Sequence, residues 1–252
     1  MLTGGMHTED LADDLAAAVR SPDIFAVYQP QVSLESGSIV AAEALCRWRH
    51  PRLGEVDPRT AIDVAERSGV IHELGRRMLD ECLDTLMGWR AMGRGWAVTV
   101  NVSPVQFEDA SFAGQVATQV ERRATEPGSL ILELARGIPS NSEAAVSAQL
   151  NMLRGLGVEI SLGDYGEGTI APEQLARLSL SEVKIPGHLV RAAEPGARAA
   201  LRREVDTAHA HGLRVVAEGI ETLTHLDIAV ELGCDRAQGF LIREPDAEIV
   251  FP

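Results

Sequence analysis

From Trp96 onward, short runs of Val, Ile and Leu alternate with stretches of helical period. The runs are "WAVTVNVS" (96–103), "LILELA" (130–135), "VEISLG" (158–163), "SEVKI" (181–185), "LRVVAEG" (213–219) and "DRAQGF" (235–240). Helical period covers about 112–123, 142–155, 172–178, 188–210 and 223–232 between them. Strands with apolar residues on both faces need cover on both sides, and a parallel sheet wrapped by helices supplies it. The chain begins differently. "IFAVYQPQVSL" (24–34) and "SIVAAEALCRWRH" (38–50) are separated by "ESG", which predicts an antiparallel hairpin, with Pro30 marking an edge or a break. Two helical stretches follow, "RTAIDVAERSG" and "IHELGRRMLDECLDTLMGWRAMG".

Eight strands in 252 residues match one closed α/β barrel of the TIM-like (β/α)8 kind, its first strand antiparallel to the rest. An open doubly wound sheet is the alternative; no strand here runs into a G-x-G-x-x-G turn, so a dinucleotide-binding version does not fit. Residues 1–20 read as an N-terminal helical arm with Leu11, Leu15, Ala18 and Val19 as its apolar stripe, and 21–252 as the barrel.

A formal net charge of −14 argues against non-specific binding to polymeric nucleic acid or anionic membrane. No apolar run reaches membrane-spanning length, and the N-terminus lacks a signal-peptide core. Cys46, Cys82 and Cys234 have neither zinc nor disulfide-framework spacing, so a reduced, cytoplasmic setting is expected. The histidines of "HTED", "RWRH" and "TAHAHGLR" read as lying on an arm, a loop and a solvent-facing helix.

In such a barrel the C-terminal strand ends carry function. Here they present Glu43, Asn101, Glu133, Asp164, Lys184, Glu218 and Gln238, with Glu221 three residues beyond Glu218. One polar residue at a strand end is usually a cap or a loop ion pair. Converging carboxylates are another matter, because they repel one another and suit a hard divalent cation.

Seven ordered blocks resemble the EAL domains, the cyclic di-GMP phosphodiesterase family. "YQPQVSLESGSIVAAEALCRWRHP" holds the name-giving Glu43-Ala44-Leu45. "NVSPVQF", "LILELA", "LRGLGVEISLGDYG", "EVKI", "VVAEGIET" and "ELGCDRAQGFLIREP" follow in order, covering about 24–245. The resemblance implies a barrel with an antiparallel first strand, and opening of cyclic di-GMP by two Mg²⁺ or Mn²⁺ ions that activate a water. It assigns Glu43, Asn101 and Glu133 to one ion and Asp164 to the other, with Glu218 nearby. Lys184 would orient the water, Glu221 and Gln238 line the pocket, Arg47 meet a phosphate and Gln29 a base.

The chain departs from the family where the chemistry sits. The family has two successive aspartates after the fifth strand, the first bridging both ions; here they are Gly163 and Asp164. Arg136 replaces a loop-anchoring glutamate, and Pro186 an aspartate. Gly163 leaves Mg²⁺ or Mn²⁺ weakly bound or unbound, and Glu167, four residues on, is the one candidate substitute. The expectation is therefore a degenerate EAL domain, without phosphodiesterase activity, that signals through a protein partner or cyclic di-GMP, the partner placed slightly ahead. An active metal-dependent phosphodiesterase giving the linear dinucleotide is the alternative. Ile170, Leu175 and Leu178 offer an apolar face for a homodimer.

Overall fold

A computed structural model of the chain describes residues 8–134, 143–168, 170, 172–192 and 195–249. Strands β1 (Ile24–Ser33), β2 (Ile39–His50), β3 (Gly54–Val56), β4 (Ala97–Val102), β5 (Leu130–Leu134), β6 (Glu159–Leu162), β7 (Glu182–Ile185), β8 (Arg214–Ala217) and β9 (Arg236–Gln238) form one sheet. Its order is β1-β9-β8-β7-β6-β5-β4-β2-β3, and β1 also pairs with β2. That last pairing closes an eight-strand barrel, with β3 as an extra antiparallel arm on β2. β1 runs antiparallel to both neighbours, while β2 and β4 to β9 pair in parallel. The closed barrel and its reversed first strand agree with the sequence reading; an open sheet does not.

Helices α1 (Thr8–Ala18), α2 (Pro58–Ser68), α3 (Ile71–Ala91), α4 (Phe112–Arg122), α5 (Glu143–Gly155), α6 (Pro172–Leu175), α7 (Gly187–Val190), α8 (Pro195–Ala210) and α9 (Leu223–Leu232) surround it. α2 shows how local chemistry sets these boundaries. Asp57 caps its start by accepting from the Thr60 amide, Pro58 opens it, and Gly69 ends it at φ 78°. The apolar stripe of α1, Leu11, Leu15, Ala18 and Val19, is buried in the main core.

Several expectations are corrected. The stretch read as one helix over 188–210 divides into α7 and α8, and α8 opens at Pro195, a residue with no amide hydrogen to continue a helical ladder. β3 was too short and polar to show an alternating pattern. Pro30 lies inside β1, between β2 and β9, rather than at a sheet edge. It is tolerated because the outward side of β1 changes partner there, from an isolated bridge at Tyr28–Asp246 to β9 at Gln31–Gln238. His50 is a buried strand residue: its ring is 3.0 Å from Asp14 of α1 and accepts from the Arg52 and Leu53 amides. Leu175 and Leu178 are buried in the chain's own core, and half-buried Ile170 packs against it. Among the described residues no helix is long and apolar enough to cross a membrane.

Candidate active site

Strand register brings the site together. β1 and β2 set Gln29 opposite Glu43, β4 and β5 set Asn101 opposite Glu133, and β1 and β9 set Gln31 opposite Gln238. Because alternate residues of a strand face the same side, these side chains reach one end of the barrel interior. The other end is closed by a separate ionic group in which buried Glu182 meets Arg214 at 3.3 Å and Arg236 at 3.1 Å.

Lys184 is the centre of the upper cluster. It is fully buried, with Nζ 2.5 Å from Glu133 Oε2, 2.7 Å from Glu43 Oε2 and 3.2 Å from Glu218 Oε1. Glu43 Oε1 accepts from Asn101 Nδ2 at 2.7 Å, and Glu43 Oε2 also accepts from Gln238 Nε2 at 2.8 Å. Gln238 Nε2 donates to Gln29 Oε1 at 2.9 Å as well.

Burial and charge compete over these groups. Burial alone would lower the Lys184 pKa, but the carboxylates of Glu133, Glu43 and Glu218 outweigh it and hold the ammonium well above the usual lysine range. Burial pushes Glu133 well above the ordinary carboxylate range; Lys184 pulls against it, while Glu43 and Glu218 add to it. Burial opposes ionisation of Glu43 too, yet the charge and hydrogen bond of Lys184, with donors Asn101 and Gln238, bring it below its ordinary value. Glu218 is raised, first by burial, with Lys184 opposing and Glu43 and Asp164 adding. Three acids around one base leave surplus negative charge, and burial disposes Glu133 and Glu218 toward taking up a proton.

The structure thus unites Gln29, Glu43, Asn101, Glu133, Lys184, Glu218 and Gln238. Asp164 follows β6 at a positive φ of 52°, a conformation that favours aspartate over most side chains, and its charge is felt by Glu218. Gly163 is buried beside it, its amide donating to Leu134 O at 3.0 Å. Arg47 lines the same cavity as Glu43, Glu133 and Glu218, with Nε 3.3 Å from Glu55. Glu221 is exposed, 3.5 Å from Arg191. Glu167 turns to His188 at 3.0 Å. Arg136 lies outside the described residues. Pro186 occupies the start of α7 with no side-chain cap. Gln31, absent from the residues singled out above, is fully buried and donates to Gln238 Oε1 at 3.0 Å. It stands two residues from Gln29, so strand alternation alone put it on the same face.

The EAL domain model matches residues 12–245. This chain belongs to the EAL domain family. As an EAL domain it is 33% identical over 238 residues to the bifunctional diguanylate cyclase/cyclic di-GMP phosphodiesterase MucR of Pseudomonas aeruginosa, covering 93% of this chain and 35% of that protein. A second cyclic di-GMP phosphodiesterase of Pseudomonas aeruginosa is 31% identical over 238 residues, covering 93% of this chain and 40% of the relative. The EAL domain therefore spans between a third and two fifths of the length of these curated relatives. The solved MucR phosphodiesterase in complex with c-di-GMP superposes with a TM-score of 0.88 at 33% identity, covering 94% of this chain and 97% of that one. The FimX EAL domain, at 18% identity and a TM-score of 0.89, shares the fold.

The donors here suit a hard divalent ion in kind, since they are carboxylates and an amide. Glu133 Oε2 has no aligned hydrogen bond, although it lies 2.5 Å from the Lys184 ammonium. Among the described residues no three acid, histidine or cysteine side chains are arranged around an ion-sized point. The three glutamates point instead to Lys184. Glu43, Asn101 and Glu133 fit one ion if the carboxylates turn from the lysine and the Asn101 amide flips. For a second ion, Asp164 and Glu218 remain, and Gly163 has no side chain to share between the two.

Proposed function

We propose that this EAL domain binds cyclic di-GMP with little or no hydrolysis and relays the bound state to a protein partner. Residue 163 carries the reading. In the family pattern that position holds the carboxylate common to two ions. Bound as a pair, Mg²⁺ or Mn²⁺ would generate the attacking hydroxide and stabilise the leaving ribose oxygen. A glycine there would leave both ions one carboxylate short, with Glu43, Asn101 and Glu133 to hold one and Asp164 and Glu218 the other. Glu167, engaged with His188, stands as a poor substitute.

Recognition is supported separately. A cavity of about 460 Å³ runs from Glu43, Asn101 and Glu133 to Arg47 and Arg59. That is within the size range of small-molecule sites, about 300–1,000 Å³. Arg47 at its side offers a cation to a phosphate, while the buried amides of Gln29 and Gln238 hold Glu43 in place behind the cavity. Lys184 offsets part of the acids' charge, which lessens repulsion of a dianionic ligand. The likeness to a relative solved with c-di-GMP supports the messenger, rather than a partner acting alone, as the ligand of this reading.

Calorimetric titration with cyclic di-GMP, with and without Mg²⁺, tests recognition; saturable binding in both conditions is expected, and none in either would end the reading. Incubation with Mn²⁺ at high protein concentration, followed by chromatography, tests turnover. Steady accumulation of linear dinucleotide would replace this reading by a second one, a slow phosphodiesterase, which the retained Lys184 cluster favours.

A further inference from the structure

We infer that Gln31 is a positioning residue that fixes the orientation of the Gln238 amide, and through it the Glu43 carboxylate. The inference deepens the proposed recognition of cyclic di-GMP and rests on it for its ligand. Gln238 Nε2 lies 2.8 Å from Glu43 Oε2. An ionised carboxylate only accepts, so the atom facing it is the nitrogen. The Gln238 oxygen must then face Gln31, whose Nε2 donates to it at 3.0 Å. The polarity is fixed independently from the far side. Gln29 Nε2 donates to the carbonyl of Arg243 at 3.2 Å, and a carbonyl also only accepts. Gln29 therefore presents its oxygen to Gln238, which must again offer nitrogen, at 2.9 Å. Two acceptor-only groups at opposite ends demand the same orientation of one central amide.

Gln31 is the part of this chain that makes the orientation stable. Without it the Gln238 oxygen would be buried with no donor, because Gln31 supplies the one hydrogen bond to that oxygen among those described. Gln31 is itself fully buried, and its own Oε1 has no hydrogen-bond partner among the described residues. A buried polar atom left without a partner is costly, so this side chain is held here by what it donates rather than by what it accepts. The residues straddle the closing seam of the barrel. Gln31 faces Gln238 across β1 and β9, and Gln29 faces Glu43 across β1 and β2. The reversed first strand thus supplies both amides that set Gln238.

The test compares Gln31→Met and Gln31→Glu with the parent chain, each alone and in a Gln238→Ala background, by calorimetric titration with cyclic di-GMP. Gln31→Met strands the Gln238 oxygen, and binding should weaken roughly tenfold. Gln31→Glu sets acceptor against acceptor and should weaken it at least as much. In the Gln238→Ala background neither change should alter affinity by more than about twofold, since the residue acts through Gln238. An effect of Gln31→Met that persists undiminished in that background, or its absence in the single variant, overturns the inference. A second measurement needs no ligand. The Gln238 side-chain amide, assigned by its loss in Gln238→Ala, should exchange slowly with solvent in the parent and much faster in Gln31→Met. Unchanged exchange overturns the inference as well. If the parent takes up no cyclic di-GMP, the proposed function fails while the exchange measurement still decides the role of Gln31.

Discussion

Replacing Lys184 by Met removes the base at the centre of a buried group of acids. Nζ lies 2.5, 2.7 and 3.2 Å from three carboxylate oxygens, and the side chain is fully buried. At an effective dielectric of about 20, a unit pair at such separations attracts by roughly 5–7 kcal/mol. Part of that is offset by the desolvation of both charges, and deleting one member of a buried ion pair costs about 3–5 kcal/mol. For a chain of this size, at about 2–4 °C per kcal/mol, the melting temperature should fall by roughly 6–20 °C at pH 8. The loss should depend on pH with a definite sign. Without the ammonium, the folded-state pKa values of Glu43, Glu133 and Glu218 all lie above their unfolded values, as Glu133 and Glu218 already do in the parent. A carboxyl raised in this way contributes stability that is present below its unfolded pKa and is lost as pH rises through its folded pKa. The variant's deficit should therefore shrink as pH falls from 8 toward 5, by about 1.4 kcal/mol per pH unit for each additional proton held. Urea unfolding followed by circular dichroism across that range measures it. A variant as stable as the parent at pH 8, or a deficit that grows on acidification, would refute the reasoning.

Gly163→Asp should confer or raise Mn²⁺-dependent production of the linear dinucleotide, seen by chromatography; no gain in a variant that still folds would show that residue 163 does not limit turnover. Gly187→Ala puts a Cβ 2.9 Å from Gly219 Cα and 3.0 Å from Glu218 O, both backbone atoms, so it should cost about 1–3 kcal/mol in chemical unfolding and loosen the 218–221 segment. His50→Phe deprives the Arg52 and Leu53 amides of their acceptor and Asp14 of one of its two partners, Arg52 remaining, and those two amides should lose protection in hydrogen exchange, with a stability loss of about 1–3 kcal/mol.

Much of the architecture was legible because burial on both faces leaves a compositional mark. The apolar runs at β4 to β8 and the "ESG" turn of the first hairpin sufficed for a barrel with a reversed entry strand. The short polar arm β3 and the break between α7 and α8 left weaker marks: three residues show no period, and a helical pattern continues in phase across a proline. Pro30 misled because an edge is only one way to spare a missing amide; a strand whose partner changes at that residue is another. His50 misled because its neighbours in sequence are polar, while its partners come from α1 and the following turn.

The sequence by itself settled which chemistry could gather at the barrel mouth: acids at successive strand ends, one lysine, and a glycine at position 163. These are properties of residue type and spacing, which strand periodicity converts directly into a shared face. Tertiary structure decided what those groups do to one another. Only closure through β1 sets Gln31 and Gln29 against Gln238 and Glu43, and only burial makes Lys184 a common partner for three carboxylates rather than a solvated cation. Hydrogen-bond direction and proton affinity depend on distance and on the exclusion of water, and neither is written in the order of residues along the chain.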